Sequence, residues 1–179
     1  YRWRHGAAVS VGLVFAAERA GLILAVVHNF QFARSVAGAR AAVGSGRYGP
    51  LRGVVCVQLS NPRRRLPVWY RSLPGGLFYD EAPHLFYLVR AFAPDAAVSS
   101  ATWVPSRDPD DPTPRHAAIV FAPREGAFAS LSLTFDAAVS EWQLLLLLDR
   151  ATLVADLFRD ILVALPDDGR HRPLEILRT

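Results

Sequence analysis

Five short apolar runs follow one another in the second half of the chain, and together they limit the folds open to it. Several of them alternate apolar with small or polar residues. The runs are Ala101–Val104, His116–Phe121, Ala127–Phe135, Trp142–Leu148 and Thr152–Phe158. Clusters of Pro, Gly and Asp separate them, and a two-residue turn is predicted at Asp149-Arg150. Because strands joined by short links pair with their neighbours in opposite directions, this half predicts a largely antiparallel sheet.

The first half of the chain instead alternates helical patterns with apolar runs. An alanine-rich helix over Ala7–Ala20 should end at Gly21, and the continuous apolar run Leu22–Val27 then predicts a strand covered on both faces. Beyond it we expect a helix, a valine-rich strand and a further helix, at about Phe32–Val43, Leu51–Leu59 and Asp80–Phe92. The predicted class is α+β, with an open, largely antiparallel sheet and helices on one face, preceded by a helix-strand pair.

Composition narrows the classes of protein to consider. Hydrophobic residues make up 51% of the chain, which argues against disorder, and the net charge of +4 comes from dispersed arginines, which gives no reason to expect a nucleic-acid partner. Glu18 and Arg19 interrupt the N-terminal apolar segment, so we expect neither a membrane span nor a membrane partner. The single cysteine, Cys56, lies in an apolar run and predicts a small buried residue. The default expectation is a soluble, cytoplasmic protein.

The stretch LPGGLFYDEAPH carries the strongest chemical signal. Gly75 and Gly76 indicate a sharp turn or a close approach of the backbone, and Asp80 and His84, four residues apart, can share one helix face. Pro83 is tolerated in a first helical turn, which would place the helix start near Asp80. Histidine is the natural proton-transfer residue at neutral pH, and a nearby carboxylate can orient it or bind a hydroxyl. From the spacing alone, the favoured interpretation is Asp80 as an N-cap and His84 as a polar residue facing solvent.

Two aromatic residues, one before this stretch and one within it, carry weaker signals. Trp69 can stack on a sugar ring or simply pack under the loop, and Tyr79 can add a hydroxyl to the site or pack in the core. The other histidines are scattered and lack metal-ligand spacing with Cys, Asp or Glu, so no metal site is expected.

These pieces together resemble the C-terminal part of the Gfo/Idh/MocA oxidoreductases. The resemblance rests on AVVHNFQF, GSGRYGPLRGVV, Trp69, GGLFYDEAPH and the late TLVADLF run. It implies a two-domain dehydrogenase in which an N-terminal Rossmann domain binds NAD or NADP. The C-terminal domain would then supply the substrate side, with Asp80 and His84 at the hydroxyl-bearing carbon and His84 as the proton acceptor. Gly75, Gly76, Trp69 and Tyr79 would lie on the substrate side of the cleft.

The sequence departs from that family in ways that concern the cofactor. No G-x-G-x-x-G follows a strand, and without any Lys the lysine of the family's Glu-Lys-Pro motif is missing. Met is also absent, so we expect an excerpt in which residues 1–28 are the last helix and strand of an incomplete Rossmann-like domain. Residues 29–179 would be the substrate and oligomerisation domain. NAD or NADP would bind the full-length protein and should not bind this chain tightly.

Two functions therefore remain open. In the first, the full-length protein transfers hydride between a nicotinamide cofactor and a hydroxyl-bearing small molecule such as a sugar, polyol or derivative. In the second, the domain is a non-catalytic module for ligand binding or for oligomerisation through its sheet. Trp142–Leu148 is too apolar on both sides for a strand facing solvent, which predicts a homo-oligomer built on the open sheet face.

Overall fold

The computed structural model describes residues 2–66 and 68–167, with side chains from residue 11 onwards; residues 168–179, the end of the predicted second domain, lie outside this description. The α-helices in this part of the chain are α1 (Arg2–Ala20), α2 (Arg34–Gly44) and α3 (Leu77–Phe92), and the strands are β1 (Leu51–Leu59), β2 (Ala97–Val104), β3 (His116–Ala122), β4 (Phe128–Thr134), β5 (Glu141–Leu148), β6 (Ala151–Asp156) and β7 (Ile161–Pro166). Short 3₁₀ helices cover Asn29–Phe32 and Tyr70–Ser72. No described helix combines the length and apolar character needed to cross a membrane.

The strands form one open sheet in the order β2-β3-β4-β1-β5-β6-β7. β1 runs parallel to β4, and every other pairing is antiparallel. Alternate strand residues such as Cys56, Leu131 and Leu144 share one buried core with Val36 of α2 and Leu85 of α3. The predicted α+β class, with helices on one face of a largely antiparallel sheet, is therefore confirmed.

Cys56 lies in the middle of this core, as its apolar surroundings in sequence predicted. Its side chain is fully buried in β1, and that burial raises the pKa of the thiol to about 12. Because the thiolate is the nucleophilic form, Cys56 is a packing residue.

Most predicted elements are present within a few residues of their expected bounds, but two differ. β7 was not predicted; it pairs with β6 at the sheet edge, where Pro166 is tolerated as the terminal residue. The strand predicted over Leu22–Val27 is wrong for this chain: the segment pairs with no strand in the described part of the chain, and Ile23 is 95% exposed. A strand that covers neither face and pairs with no neighbour has nothing to hold it in a sheet.

The turn between β6 and β7 fixes the start of α2. Asp160 has a positive φ of 54°, and its carboxylate accepts the backbone N–H groups of Ser35 (2.7 Å) and Arg34 (3.2 Å). These hydrogen bonds, with that of Ser35 the largest cause, lower the pKa of Asp160 to about 2. A carboxylate at a helix N-terminus accepts hydrogen bonds from free N–H groups and interacts favourably with the positive end of the helix dipole. A residue from the far end of the chain therefore holds α2 against the sheet.

Candidate functional site

The glycine pair starts α3 three residues earlier than predicted. Gly76 precedes the helix with φ 56° and ψ −129°, a conformation open essentially to glycine, and the Thr113 hydroxyl accepts the N–H of Leu77 at 3.1 Å. The predicted start near Asp80 is therefore wrong, because glycine geometry and Thr113 begin the helix without a carboxylate cap. Pro83 lies inside the helix, where it cannot donate to the carbonyl of Tyr79 four residues before it.

Asp80 and His84 nevertheless lie one helical turn apart on α3, as the spacing predicted. Asp80 is exposed in the first turn, and His84 is half-buried. Burial has the largest effect on the pKa of His84 and lowers it. The negative charge of Asp80 has a smaller, opposite effect and raises that pKa. The net pKa of His84 lies below the ordinary value of 6.5, with His28 lowering it further. His84 is thus biased towards the neutral, proton-accepting form.

Aromatic rings surround His84 and explain its burial. Phe30 meets it edge-on at a centroid distance of 5.4 Å, and Trp142 of β5 lies at 5.7 Å. Phe30 and Trp142 also contact each other at 5.3 Å. The segment before α2, the start of β5 and α3 therefore converge on one imidazole, although they are distant in sequence.

Tyr87 connects His84 to the segment before α2. Its hydroxyl lies 3.1 Å from Nδ1 of His84, accepts the backbone N–H of Phe30 at 3.1 Å and donates to Oδ1 of Asn29 at 3.0 Å. The tyrosine ring also stacks on His28, with centroids 4.5 Å apart and an interplanar angle of 10°. Sequence analysis did not identify this group, although Tyr87 stands three residues after His84 on the same helix face.

A buried charged cluster lies beside the candidate site. Glu81, 6% exposed, pairs with Arg64 and accepts hydrogen bonds from Nε2 of Gln58 (2.5 Å) and Oγ of Ser60 (3.0 Å). Burial lowers the pKa of Arg64, and the negative charge of Asp80 raises it by a smaller amount. The cluster fixes the loop after β1 against α3 and places a guanidinium near the carboxylate of the candidate pair.

The other predicted site residues are spread over the surface around α3. Gly75 lines a cavity of about 550 Å³ together with Phe78 and Trp103. Gly76 is buried against Thr113, and Tyr79 is 45% exposed. Trp69 lies, half exposed, along a separate groove with Arg65, Leu66 and Val68. The fold therefore brings Asp80 and His84 together, while Trp69 and Gly75 line other hollows.

The glycine-rich loop before β1 is not placed as a Rossmann pyrophosphate cradle would be. Gly44–Gly49 matches the pattern G-x-G-x-x-G, but it connects the C-terminus of α2 to β1. A phosphate bound there would lie at the negative end of a helix dipole, whereas phosphates bind at the positive, N-terminal end. Arg150 already donates to the carbonyl of Arg47 within it, at 2.7 Å. Among the described residues, no group of three His, Cys, Asp or Glu side chains is placed to hold a metal ion.

Comparison with family models identifies the fold. Residues 36–154 match the model described as GFO/IDH/MocA C-terminal domain. The chain belongs to this family. The predicted resemblance is confirmed, and the matched range runs from α2 into β6, including the whole of α3. A search of curated protein sequences finds no match.

Solved structures of dehydrogenases share this fold. Levoglucosan dehydrogenase in complex with NADH and levoglucosan superimposes with a TM-score of 0.68 at 18% identity, covering 83% of this chain and 44% of that one. An inositol dehydrogenase homologue from Azotobacter vinelandii, complexed with NADH and myo-inositol, gives 0.71 at 16%, covering 88% and 43%. The WlbA dehydrogenase from Bordetella pertussis, in complex with NADH and UDP-GlcNAcA, gives 0.68 at 16%, covering 92% and 53%. The chain spans about half the length of these structures, and at such identities the likeness concerns the fold.

Proposed function

We propose that this domain forms the substrate side of an NAD(P)-dependent oxidoreductase acting on a CH–OH group of a sugar, polyol or derivative. The observation that carries the proposal is the half-buried His84, one turn from Asp80 on α3, in a domain of the GFO/IDH/MocA family. Three dehydrogenases of this fold, solved with NADH and a sugar-like or polyol ligand, support the substrate class.

Each side chain of the pair has a definite part in this proposal. His84, neutral at physiological pH, accepts the proton of the substrate hydroxyl, and Asp80 binds a hydroxyl or orients the ring. Trp69, Tyr79, Gly75 and Gly76 remain predicted substrate-side contacts. The hydride acceptor would be a nicotinamide cofactor, and among the described residues no strand leads into a G-x-G-x-x-G that could cradle its pyrophosphate.

The test uses the complete gene product that contains this sequence. NAD+ and NADP+ are each offered with a panel of polyols, aldoses, anhydrosugars and nucleotide sugars, and formation of the reduced nicotinamide is followed by absorbance. Turnover with at least one hydroxylated substrate is expected. A complete reading frame that carries no dinucleotide-binding motif and shows no turnover would contradict the proposal.

The pH profile should report His84. Because burial holds its pKa below 6.5, the neutral base persists into mildly acidic solution, so kcat/KM should stay level above pH 6.5 and fall only below it. Asp80, His28 and Tyr87 are the titratable groups beside the ring. NMR titration of the His84 ring in this chain should give a midpoint below 6.5. A midpoint above 6.5 would show that Asp80 outweighs burial.

A second function, oligomerisation through the open sheet face, is favoured by the side chains on that face. Val55, Leu145, Val154 and Val163 stand next to one another across β1, β5, β6 and β7, and Phe128 is 43% exposed on β4. Such a continuous apolar row is typical of a buried interface. We propose that it pairs with a second copy of the chain, whether or not the protein is catalytic.

Sedimentation velocity tests this pairing. The chain should sediment as a dimer or larger, and Val163→Glu on the edge strand should shift it towards the monomer, because a charge would enter the apolar contact. Arg63→Glu, in the exposed loop after β1, is the matched control and should leave the distribution unchanged. A monomer at every concentration would rule the pairing out.

A further inference from the structure

The protonation of the imidazole can be read from the group around the Tyr87 hydroxyl. That oxygen has one proton to donate and two lone pairs to accept with. The backbone N–H of Phe30 donates to one lone pair at 3.1 Å, and the hydroxyl proton is donated in a hydrogen bond to Oδ1 of Asn29 at 3.0 Å. Nδ1 of His84 lies at 3.1 Å from the same oxygen. With the hydroxyl proton committed to Asn29, a hydrogen bond to His84 requires Nδ1 to be the donor.

We propose that Tyr87, held by Asn29, is a positioning residue that fixes His84 as the Nδ1–H tautomer and leaves Nε2 as its proton acceptor. A neutral imidazole carries one N–H, so committing Nδ1 as donor makes Nε2 the basic nitrogen. A ring without such a partner exchanges between both tautomers, and only one of them presents the lone pair at Nε2.

The surroundings hold this arrangement in place. Tyr87 is 8% exposed, its ring is stacked on His28, and Phe30 contacts His84 directly. The Tyr87 hydroxyl therefore joins His84, three residues before it on α3, to a distant segment. Phe30 and Asn29 in that segment lie 57 and 58 residues before Tyr87. The buried Tyr87 hydroxyl uses its one donor and both acceptor sites, and such a fully satisfied hydroxyl specifies one geometry for its partners.

The catalytic use of this tautomer rests on the proposed function, but the tautomer itself can be measured without activity. Long-range ¹H–¹⁵N and ¹³C NMR of histidine-labelled chain, at about pH 8 where the ring is neutral, distinguishes the two forms by the shifts of ring nitrogens and carbons. The wild-type His84 should show the Nδ1–H pattern.

Three variants and one control variant give the decisive comparison. Asn29→Ala removes the acceptor for the Tyr87 proton, so the hydroxyl becomes free to donate to Nδ1 and the population should move towards Nε2–H. Asn29→Asp keeps an oxygen acceptor and should retain Nδ1–H. Tyr87→Phe removes the partner and should give a mixture, whereas the control Tyr48→Phe, in the loop between α2 and β1, should match the wild type.

An Nε2–H signature in the wild-type chain, or an unchanged tautomer in Asn29→Ala and Tyr87→Phe, would overturn the proposal. If Tyr87→Phe does not fold, the wild type and the exposed Asn29 variants still decide it. In the complete gene product, kcat should fall in proportion to the lost Nδ1–H population. If the tautomer shifts as expected and no substrate is turned over, the inference about Tyr87 stands and the proposed activity fails.

Discussion

Replacing Gly76 by alanine is expected to destabilise the chain by about 3 kcal/mol or more. The φ of 56° and ψ of −129° are strained for any residue with a Cβ, and that atom would lie 2.2 Å from Oγ1 and 2.9 Å from the backbone nitrogen of Thr113. The Thr113 hydroxyl that caps Leu77 would have to move. In a chain of this size the loss corresponds to a fall in Tm of roughly 6–12 °C or more, measured by thermal unfolding followed by circular dichroism.

Two other glycines separate the causes of that loss. Gly75 also has a positive φ, 76°, but a Cβ there would approach nothing closer than 3.9 Å, so Gly75→Ala should cost about 1–2 kcal/mol from backbone strain alone. Gly44, at the end of α2, has open space and no positive φ, so Gly44→Ala should be neutral or slightly stabilising. Equal losses at positions 75 and 76 would show that contact with Thr113 does not matter.

Replacing His84 by alanine in the complete gene product should lower kcat by about 10²–10⁴-fold, the usual contribution of a general base. This corresponds to about 3–5 kcal/mol of transition-state stabilisation. KM should change much less, because the proton is transferred in the transition state and not on binding. Steady-state kinetics on the best substrate of the panel gives both constants.

The matched control for this variant is His116→Ala. His116 lies on β3 and hydrogen-bonds the Thr134 hydroxyl at 2.9 Å, away from α3. It should leave kcat unchanged. A His84→Ala enzyme with wild-type kcat would remove His84 from the mechanism, and an equal loss in both variants would indicate a general effect on folding.

Local patterns predicted the sheet because its strands are close in sequence and joined by tight turns. Asp149-Arg150, for example, joins two strands paired from Gln143↔Asp156 to Leu148↔Ala151. The pattern over Leu22–Val27 was misleading, since hydrophobicity indicates burial and cannot supply a pairing partner. The helix start was misplaced because the cap depends on Thr113, 36 residues away from Leu77.

In the candidate site, too, contacts within one helix could be predicted from the sequence, and contacts between distant segments could not. Asp80 and His84 could be paired from sequence because helical periodicity alone joins residues four apart. Tyr87 was within reach of the same reasoning, at three residues from His84. Asn29 was not, because its contact with Tyr87 spans 58 residues and depends on how the segment before α2 packs against α3. Trp142 approaches His84 only once β5 has taken its place in the sheet.

The proposed hydride transfer from a hydroxyl-bearing carbon can be followed with an isotope label on that carbon. The complete gene product is given the best substrate of the panel with deuterium on the carbinol carbon, together with the oxidised nicotinamide cofactor, and the reduced cofactor is analysed by mass spectrometry and NMR. We expect one deuterium per turnover on the nicotinamide ring, and the rate of this transfer should be much lower in His84→Ala. A reduced cofactor without the label, or no reduction with any substrate of the panel, would contradict the claim.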